Sequence, residues 1–110
     1  MAFEVVLTPD FKKDLKQIAK KHRQVLKDVD GLIDQLAENP IMGTDLGQHV
    51  YKIRLAVSGT NKGKSGGARV ITYVVLANKT IYLTDIYLKS EHDTIDVNLL
   101  LERLKNQGLI

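Results

Sequence analysis

Apolar residues recur at helical spacing through the first third of the chain. The first stripe consists of Phe11, Leu15, Ile18 and His22, and the second of Leu26, Val29, Ile33 and Leu36. Spacings of three and four place each stripe on one face of a helix. Thr8-Pro9-Asp10 predicts the first helix start, because it supplies a capping hydroxyl, a proline for the first turn and an acid near the positive helix end. The second helix is predicted to end at Asn39-Pro40, since the residue before proline disfavours helical geometry.

The period then changes to two, which predicts strands. The predicted strands are Phe3–Leu7, His49–Val57, Arg69–Leu76 and Thr80–Leu88, and a last helix is predicted from Asp93 or Thr94 to about Asn106. Ala77-Asn78-Lys79 is short enough for a hairpin, so the last two strands should be antiparallel. The element order β-α-α-β-β-β-α predicts an α+β fold, in which a helical hairpin covers a mainly antiparallel sheet. The 110 residues fit a single domain.

Composition excludes several classes of protein. The chain has no cysteine, which rules out disulfides and thiolate metal sites. Met1–Thr8 carries Glu4 and no basic cluster, which is unlike a signal peptide, and the longest apolar stretch, Val70–Ala77, is too short to span a bilayer. We therefore expect a cytoplasmic protein without a membrane partner.

Positive charge is concentrated in the middle of the chain. The formal net charge is +3, yet between Leu46 and Thr84 there are six basic residues and no acidic one. The remaining segments together carry a net negative charge. Such a distribution favours a polyanionic partner, of which nucleic acid is the commonest. A solvated basic surface explains the charge equally well.

Strand alternation predicts one cationic face. Lys52 and Arg54 alternate with the apolar residues that should contact the helices, and Arg69 opens the next strand. In the last strand Tyr87 and Lys89 share a face. Together these five side chains would offer phosphate contacts and one ring on which a base can stack. The simpler reading of two cations on one strand is protection of a sheet edge.

The glycine-rich stretch from Ser58 to Gly67 contains Gly63-Lys64-Ser65 but is not a nucleotide-binding P-loop. The first glycine of that motif would fall at Ser58, and a strand follows where the motif requires a helix. Lys62 and Lys64 are candidate RNA or ribosome contacts, or else solubilising residues at a hairpin tip. His92 is a possible proton shuttle, with solvent contact as the default. No metal-ligand spacing is present.

Three segments resemble the RelE/ParE toxin superfamily, and more closely its RelE/HigB-type members. They are Tyr51–Leu55, Gly63–Tyr73 and Ile81–Lys89. The resemblance implies the toxin of a type II toxin–antitoxin pair, which cleaves mRNA in the ribosomal A site without metal or cofactor. It also implies three partners, namely a cognate antitoxin, the ribosome and mRNA.

The resemblance also assigns site residues. Lys52 and Arg54 match the basic pair of the RelE branch, and Arg69 matches an arginine that opens the next strand. Where that branch has a further arginine and a C-terminal tyrosine, this chain has Lys89-Ser90-Glu91 and no tyrosine after Tyr87. Either Lys89 and Tyr87 substitute for these residues, or the activity is altered.

The chemistry of RNA cleavage fits the same residues. The 2′-OH of RNA supplies the nucleophile, so the protein must move protons and stabilise charge on the phosphate. Arg54 and Arg69 suit that charge, because a guanidinium stays ionised and matches phosphate oxygens. Lys52 is the candidate acid or base, since neighbouring cations lower the pKa of an ammonium group. A gyrase-poisoning ParE-type toxin and a non-catalytic RNA- or antitoxin-binding module remain as alternatives.

Overall fold

The computed structural model describes residues 2–59, 67–91 and 94–110. In chain order these form β1 (Glu4–Leu7), α1 (Pro9–Lys21), α2 (Val25–Glu38), β2 (Thr44–Gly47), β3 (Val50–Leu55), β4 (Ala68–Val75), β5 (Thr80–Leu88) and α3 (Val97–Asn106). The predicted α+β class is confirmed.

The strands form one mixed sheet in the order β1-β5-β4-β3-β2. β1 is parallel to β5, whereas the other neighbours are antiparallel. For β4 and β5, the hairpin turn predicted this pairing correctly. β1 pairs only with the first half of β5, up to Leu83. The register of β5 against β4 shifts at Ile71/Thr72, where Thr84 is the extra residue on β5. The buried Thr84 hydroxyl donates to the Ile71 carbonyl oxygen at 3.2 Å, which stabilises this bulge.

Local signals placed the first two helices correctly. The Thr8 hydroxyl accepts from the Phe11 N–H at 3.3 Å and donates to the Leu83 carbonyl oxygen at 3.0 Å, so it caps α1 and fastens it to the sheet. α2 ends at Glu38, and Asn39 is its C-cap. The chain turns between the two helices at residues 22–24.

Two elements differ from the prediction. β2 was missed, because its sequence Thr-Asp-Leu-Gly is short and mostly exposed, and only pairing with β3 makes it a strand. α3 begins at Val97 and not at Asp93 or Thr94. The Asp96 carboxylate accepts from the Leu99 N–H at 3.1 Å, and this cap sets the helix start.

The sheet carries a separate apolar cluster on each face. α1 and α2 cover one face, where they bury residues such as Phe11, Leu36 and Val70. α3 covers part of the other face, where Leu100 and Leu104 pack with residues of β3, β4 and β5. In the part of the chain that the structure describes, no helix has the length and apolar content to cross a membrane.

Candidate nucleic-acid interface

Three of the predicted site residues lie side by side on adjacent strands. Arg54 on β3 pairs with Arg69 on β4, and Arg69 pairs with Tyr87 on β5. Residues directly opposite each other in a sheet share a face and have Cβ atoms about 5 Å apart. Lys52 lies on the same face, two residues along β3 from Arg54, in a row with Ile71 and Asp85. The strand register therefore places Lys52, Arg54 and Arg69 on one face of the sheet.

Exposure divides this face into two groups. Arg54 and Lys89 are exposed and Lys52 is half-buried, as a nucleic-acid contact requires. Arg69 and Tyr87 are only 2% and 5% exposed, so the expectation that both are open to solvent is wrong. The reason for Tyr87 is α3, because its ring belongs to the apolar cluster that contains Leu100 and Leu104.

Among the described residues, Arg69 is the largest side chain that is almost completely buried. Its Nη1 donates to the Ala68 carbonyl oxygen at 3.2 Å. Burying a guanidinium is costly, so Arg69 is a candidate for a role beyond packing. Direct contact between Arg69 and a phosphate requires that the side chain first be uncovered.

A different aromatic pair is accessible on this face. Tyr73 and Tyr82 are paired across β4 and β5, are each half-buried, and stack with ring centroids 6.4 Å apart. These two tyrosines were not among the predicted site residues, because the prediction rested on the basic residues. Their signal was present, since Tyr73 lies at even spacing from Arg69 on the same strand.

Gly67 fixes the position of Lys89. The Lys89 N–H donates to the Gly67 carbonyl oxygen at 3.0 Å, which extends the pairing of β4 and β5 by one row. A Cβ at Gly67 would collide with the Leu55 carbonyl oxygen, so the close approach of β3 requires glycine here. This packing holds the Lys89 backbone two residue rows beyond the row of Arg54, Arg69 and Tyr87.

The remaining predicted residues, Lys62, Lys64 and His92, lie outside the described residues. The start of the glycine-rich stretch is described and is bound to α2. The Ser58 N–H donates to one carboxylate oxygen of Asp28 at 2.8 Å, and the Ser58 hydroxyl donates to the other at 2.6 Å. Asp28 thereby fixes the point at which this stretch leaves the sheet.

A cluster of charges borders the interface where α1, β5 and α3 meet. Arg103 Nη2 donates to Asp85 Oδ2 at 2.7 Å, and Arg103 Nε lies 3.3 Å from Asp10 Oδ2. Burial raises the pKa of Asp14 above its ordinary value of 3.8, and the nearby carboxylates of Asp85 and Asp10 raise it further. Three carboxylates thus share one guanidinium. Among the described residues, no group of histidine and acidic side chains is arranged to hold a metal ion.

Comparison with protein families gives one match over most of the chain. Residues 9–105 match the family described as the RelE toxin of the RelE / RelB toxin-antitoxin system. No curated protein matches the chain.

Solved structures share its fold at low sequence identity. A double mutant of the E. coli toxin RelE in the free state superposes with a TM-score of 0.59 and 14% identity, covering 97% of this chain and 98% of that one. The toxin–antitoxin complex RelBE2 from Mycobacterium tuberculosis gives a TM-score of 0.59 and 15% identity, covering 80% and 99% of the two chains. The isolated E. coli RelE toxin superposes with a TM-score of 0.57 and 17% identity, covering 96% of this chain and 98% of that one.

Proposed function

The chain belongs to the RelE toxin family of toxin–antitoxin systems, and we propose that it is a ribosome-dependent endoribonuclease that cleaves mRNA and inhibits translation. One observation supports the enzymatic part of this proposal. Arg54, Arg69 and Tyr87 are in register on three adjacent strands, with Lys52 beside them on the same face. A cationic row of this kind suits the phosphate of an RNA strand.

The proposed reaction uses only groups of the RNA and of the protein. The 2′-OH loses its proton and attacks the adjacent phosphorus, and the P–O5′ bond breaks as the 5′-oxygen gains a proton. Lys52 is the candidate proton-transfer group, because its half-buried ammonium carries a transferable proton on the same face as Arg54. Exposed Arg54 and Lys89 stabilise the charge on the phosphate. This chemistry needs neither metal nor cofactor.

The buried residues Arg69 and Tyr87 have a different proposed role from the exposed cations. Arg69 and Tyr87 lie beneath the accessible surface, so they orient the exposed cations, or contact RNA after being uncovered. Lys62 and Lys64 are proposed contacts with RNA or the ribosome, and His92 is a proposed second proton-transfer group.

The proposed physiological setting is the cytoplasm, with a cognate antitoxin as the protein partner. Structures of the family include a toxin–antitoxin complex from Mycobacterium tuberculosis and the intact E. coli RelBE complex. An antitoxin with acidic and apolar residues would complement a basic face.

The decisive experiment removes the nucleophile, the 2′-OH of the RNA, and leaves the protein unchanged. Ribosomes are programmed with an mRNA that carries a single 2′-deoxynucleotide on the 5′ side of a mapped cleavage position. We expect cleavage at that position to stop, while cleavage elsewhere continues and leaves 2′,3′-cyclic or 3′-phosphate ends. Unchanged cleavage at the deoxy position would refute the proposed chemistry.

Two further outcomes identify the alternatives. Intact transcripts together with broken chromosomal DNA in arrested cells would favour a gyrase toxin. Burial of Arg69 and Tyr87 is the observation that favours a non-catalytic module. That alternative predicts ribosome or antitoxin binding without any cleavage, even at saturating toxin.

A further inference from the structure

A second concentration of positive charge lies on the helices, away from the candidate interface. Between residues 12 and 27 there is only one acidic residue, Asp14. The outer segments of the chain nevertheless have a net negative charge, because acidic residues from Asp28 onward outweigh these basic residues. All of its basic side chains are exposed, namely Lys12, Lys13, Lys16, Lys20, Lys21, Arg23 and Lys27.

Four of these lysines form a continuous surface, which we call the α1 stripe: Lys12, Lys13, Lys16 and Lys20. At 100° per residue they fall within an arc of about 100° on α1. Lys12, Lys16 and Lys20 follow one another at about 6 Å along the helix axis. The apolar residues of α1 are buried on another side of the helix. Asp14 is outside this arc, close to Asp85 and Arg103.

Helix stability does not explain the α1 stripe. Lysines four residues apart repel each other and weaken a helix slightly. The helix dipole favours cations in the last turn, which accounts for Lys20 but not for Lys12 or Lys13 in the first half of α1. The charge density is therefore better explained by a partner.

The chemistry of the α1 stripe favours an RNA backbone over other partners. A helix that binds a membrane surface must offer apolar side chains to the lipid, whereas Phe11, Leu15 and Ile18 are buried in the core. Lysine is depleted in protein–protein interfaces. Rows of lysine are typical of contacts with phosphates, which position a protein without reading sequence.

From this arrangement we infer that the α1 stripe binds the backbone phosphates of a folded RNA, at a site separate from the scissile strand. α1 and α2 cover one face of the sheet, and Lys52 and Arg54 belong to the other. One short strand cannot lie on both faces. Both surfaces could contact RNA at once in a ribonucleoprotein particle whose RNA surrounds the protein. This inference rests on the proposed action at the ribosome.

The test compares two double variants with the same change in net charge. K12Q/K16Q removes half of the α1 stripe, whereas K79Q/K105Q removes two exposed lysines from the β4–β5 turn and from α3. Binding to purified, mRNA-programmed ribosomes is measured over a range of KCl concentrations. We expect K12Q/K16Q to weaken binding about tenfold and to reduce the slope of log K against log salt by about 1 per lysine. K79Q/K105Q and the charge-retaining K12R/K16R should bind as the wild type does.

Two other probes separate the possible partners. A short single-stranded RNA should bind equally to the wild type and K12Q/K16Q, because it uses the other face. If K12Q/K16Q and K79Q/K105Q bind ribosomes equally, the α1 stripe is not an RNA site, although the proposed function stands. If the wild type does not bind ribosomes, the proposed function itself fails. Wild-type binding to vesicles of phosphatidylcholine and phosphatidylglycerol that is lost in K12Q/K16Q would overturn the RNA assignment in favour of a membrane.

Discussion

Arg69 illustrates the difference between the face on which a residue lies and its accessibility. Alternation along the strand gave its face correctly, since Arg69 pairs with Arg54 and Tyr87. Alternation contains no information about what covers that face. The burial of both Arg69 and Tyr87 depends on contacts between segments distant in sequence, such as the packing of α3 on β5. The sequence therefore predicts the sheet face of a basic residue more securely than it predicts whether that residue is exposed to solvent.

Substitutions at Arg69 should affect stability as well as cleavage. Arg69→Ala removes a fully buried side chain, so we expect unfolding to become easier by about 2 kcal/mol. Arg69→Lys keeps the charge but loses the planar fork, and should reduce cleavage on programmed ribosomes at least about tenfold. Exposed Arg54→Ala is the comparison, with a change in stability below about 0.5 kcal/mol and a loss of cleavage of about a hundredfold. Thermal melts and single-turnover cleavage measure both effects, and an Arg69→Lys variant as active as the wild type would exclude the arginine from the reaction.

Asp14 provides a pH-dependent test of the charge cluster. Its pKa is raised in the folded state by burial and by the carboxylates of Asp85 and Asp10. A raised carboxyl pKa means that the folded state holds this proton more tightly, so stability is lost as pH rises through the folded pKa. Asp14→Asn should therefore raise the melting temperature at pH 7 by no more than the equivalent of about 1 kcal/mol. The gain should shrink as the pH approaches 3.8, the ordinary value of the Asp14 pKa.

The control is Asp30→Asn on the exposed side of α2. It should leave the melting temperature nearly unchanged throughout the same pH range. A gain for Asp14→Asn that does not depend on pH would assign the effect to packing and not to ionisation.

At the scale of elements, local signals and tertiary contacts predicted different things. The start of α1 and the end of α2 were predictable, because the cap at Thr8 and the stop at Asn39-Pro40 depend only on residues nearby in sequence. The bounds of β5 were also predicted correctly from alternation. β2 exists only through its pairing with β3, and the bulge at Thr84 only through the register with β4. These features are set by neighbours in space, which a pattern along one segment does not contain.

Arg103 is one of the polar links between α3 and the rest of the molecule. It binds Asp85 on β5 and lies beside Asp10 on α1, and Gln107 Nε2 donates to Asp10 Oδ2 at 2.9 Å. Arg103→Gln should lower stability by about 1–3 kcal/mol, because the nearly buried Asp85 carboxylate loses its charged partner. Lys105→Gln, on an exposed position of the same helix, should have little effect.

Chemical denaturation measures the difference in unfolding free energy between Arg103→Gln and Lys105→Gln, and a double variant tests its cause. Asp85→Asn in the Arg103→Gln background should recover part of the stability, because no uncompensated carboxylate then remains. Equal stability of Arg103→Gln and Lys105→Gln would show that the ion pairs of Arg103 do not help to hold α3.

At the scale of the whole molecule, the sheet separates two kinds of surface. One face packs against the helices that carry the α1 stripe, and the other carries the exposed cations of the proposed cleavage site. Charge on both sides should attract the protein to RNA over longer distances than the reaction itself requires. Exposed charges act through solvent and are screened by salt, whereas contacts in a closed complex are screened much less.

Salt should therefore affect capture and chemistry unequally. Raising KCl from about 50 to 200 mM at constant Mg²⁺ should lower kcat/KM on programmed ribosomes by at least about tenfold. The single-turnover rate at saturating toxin should change by less than about twofold, since the bound phosphate is already paired with its cations. K12Q/K16Q should flatten the salt dependence of kcat/KM and leave the saturated rate unchanged, while K79Q/K105Q should follow the wild type. If the saturated rate falls as steeply as kcat/KM, the cations act mainly in the chemical step, and charge on the helix side of the molecule plays no part in capture.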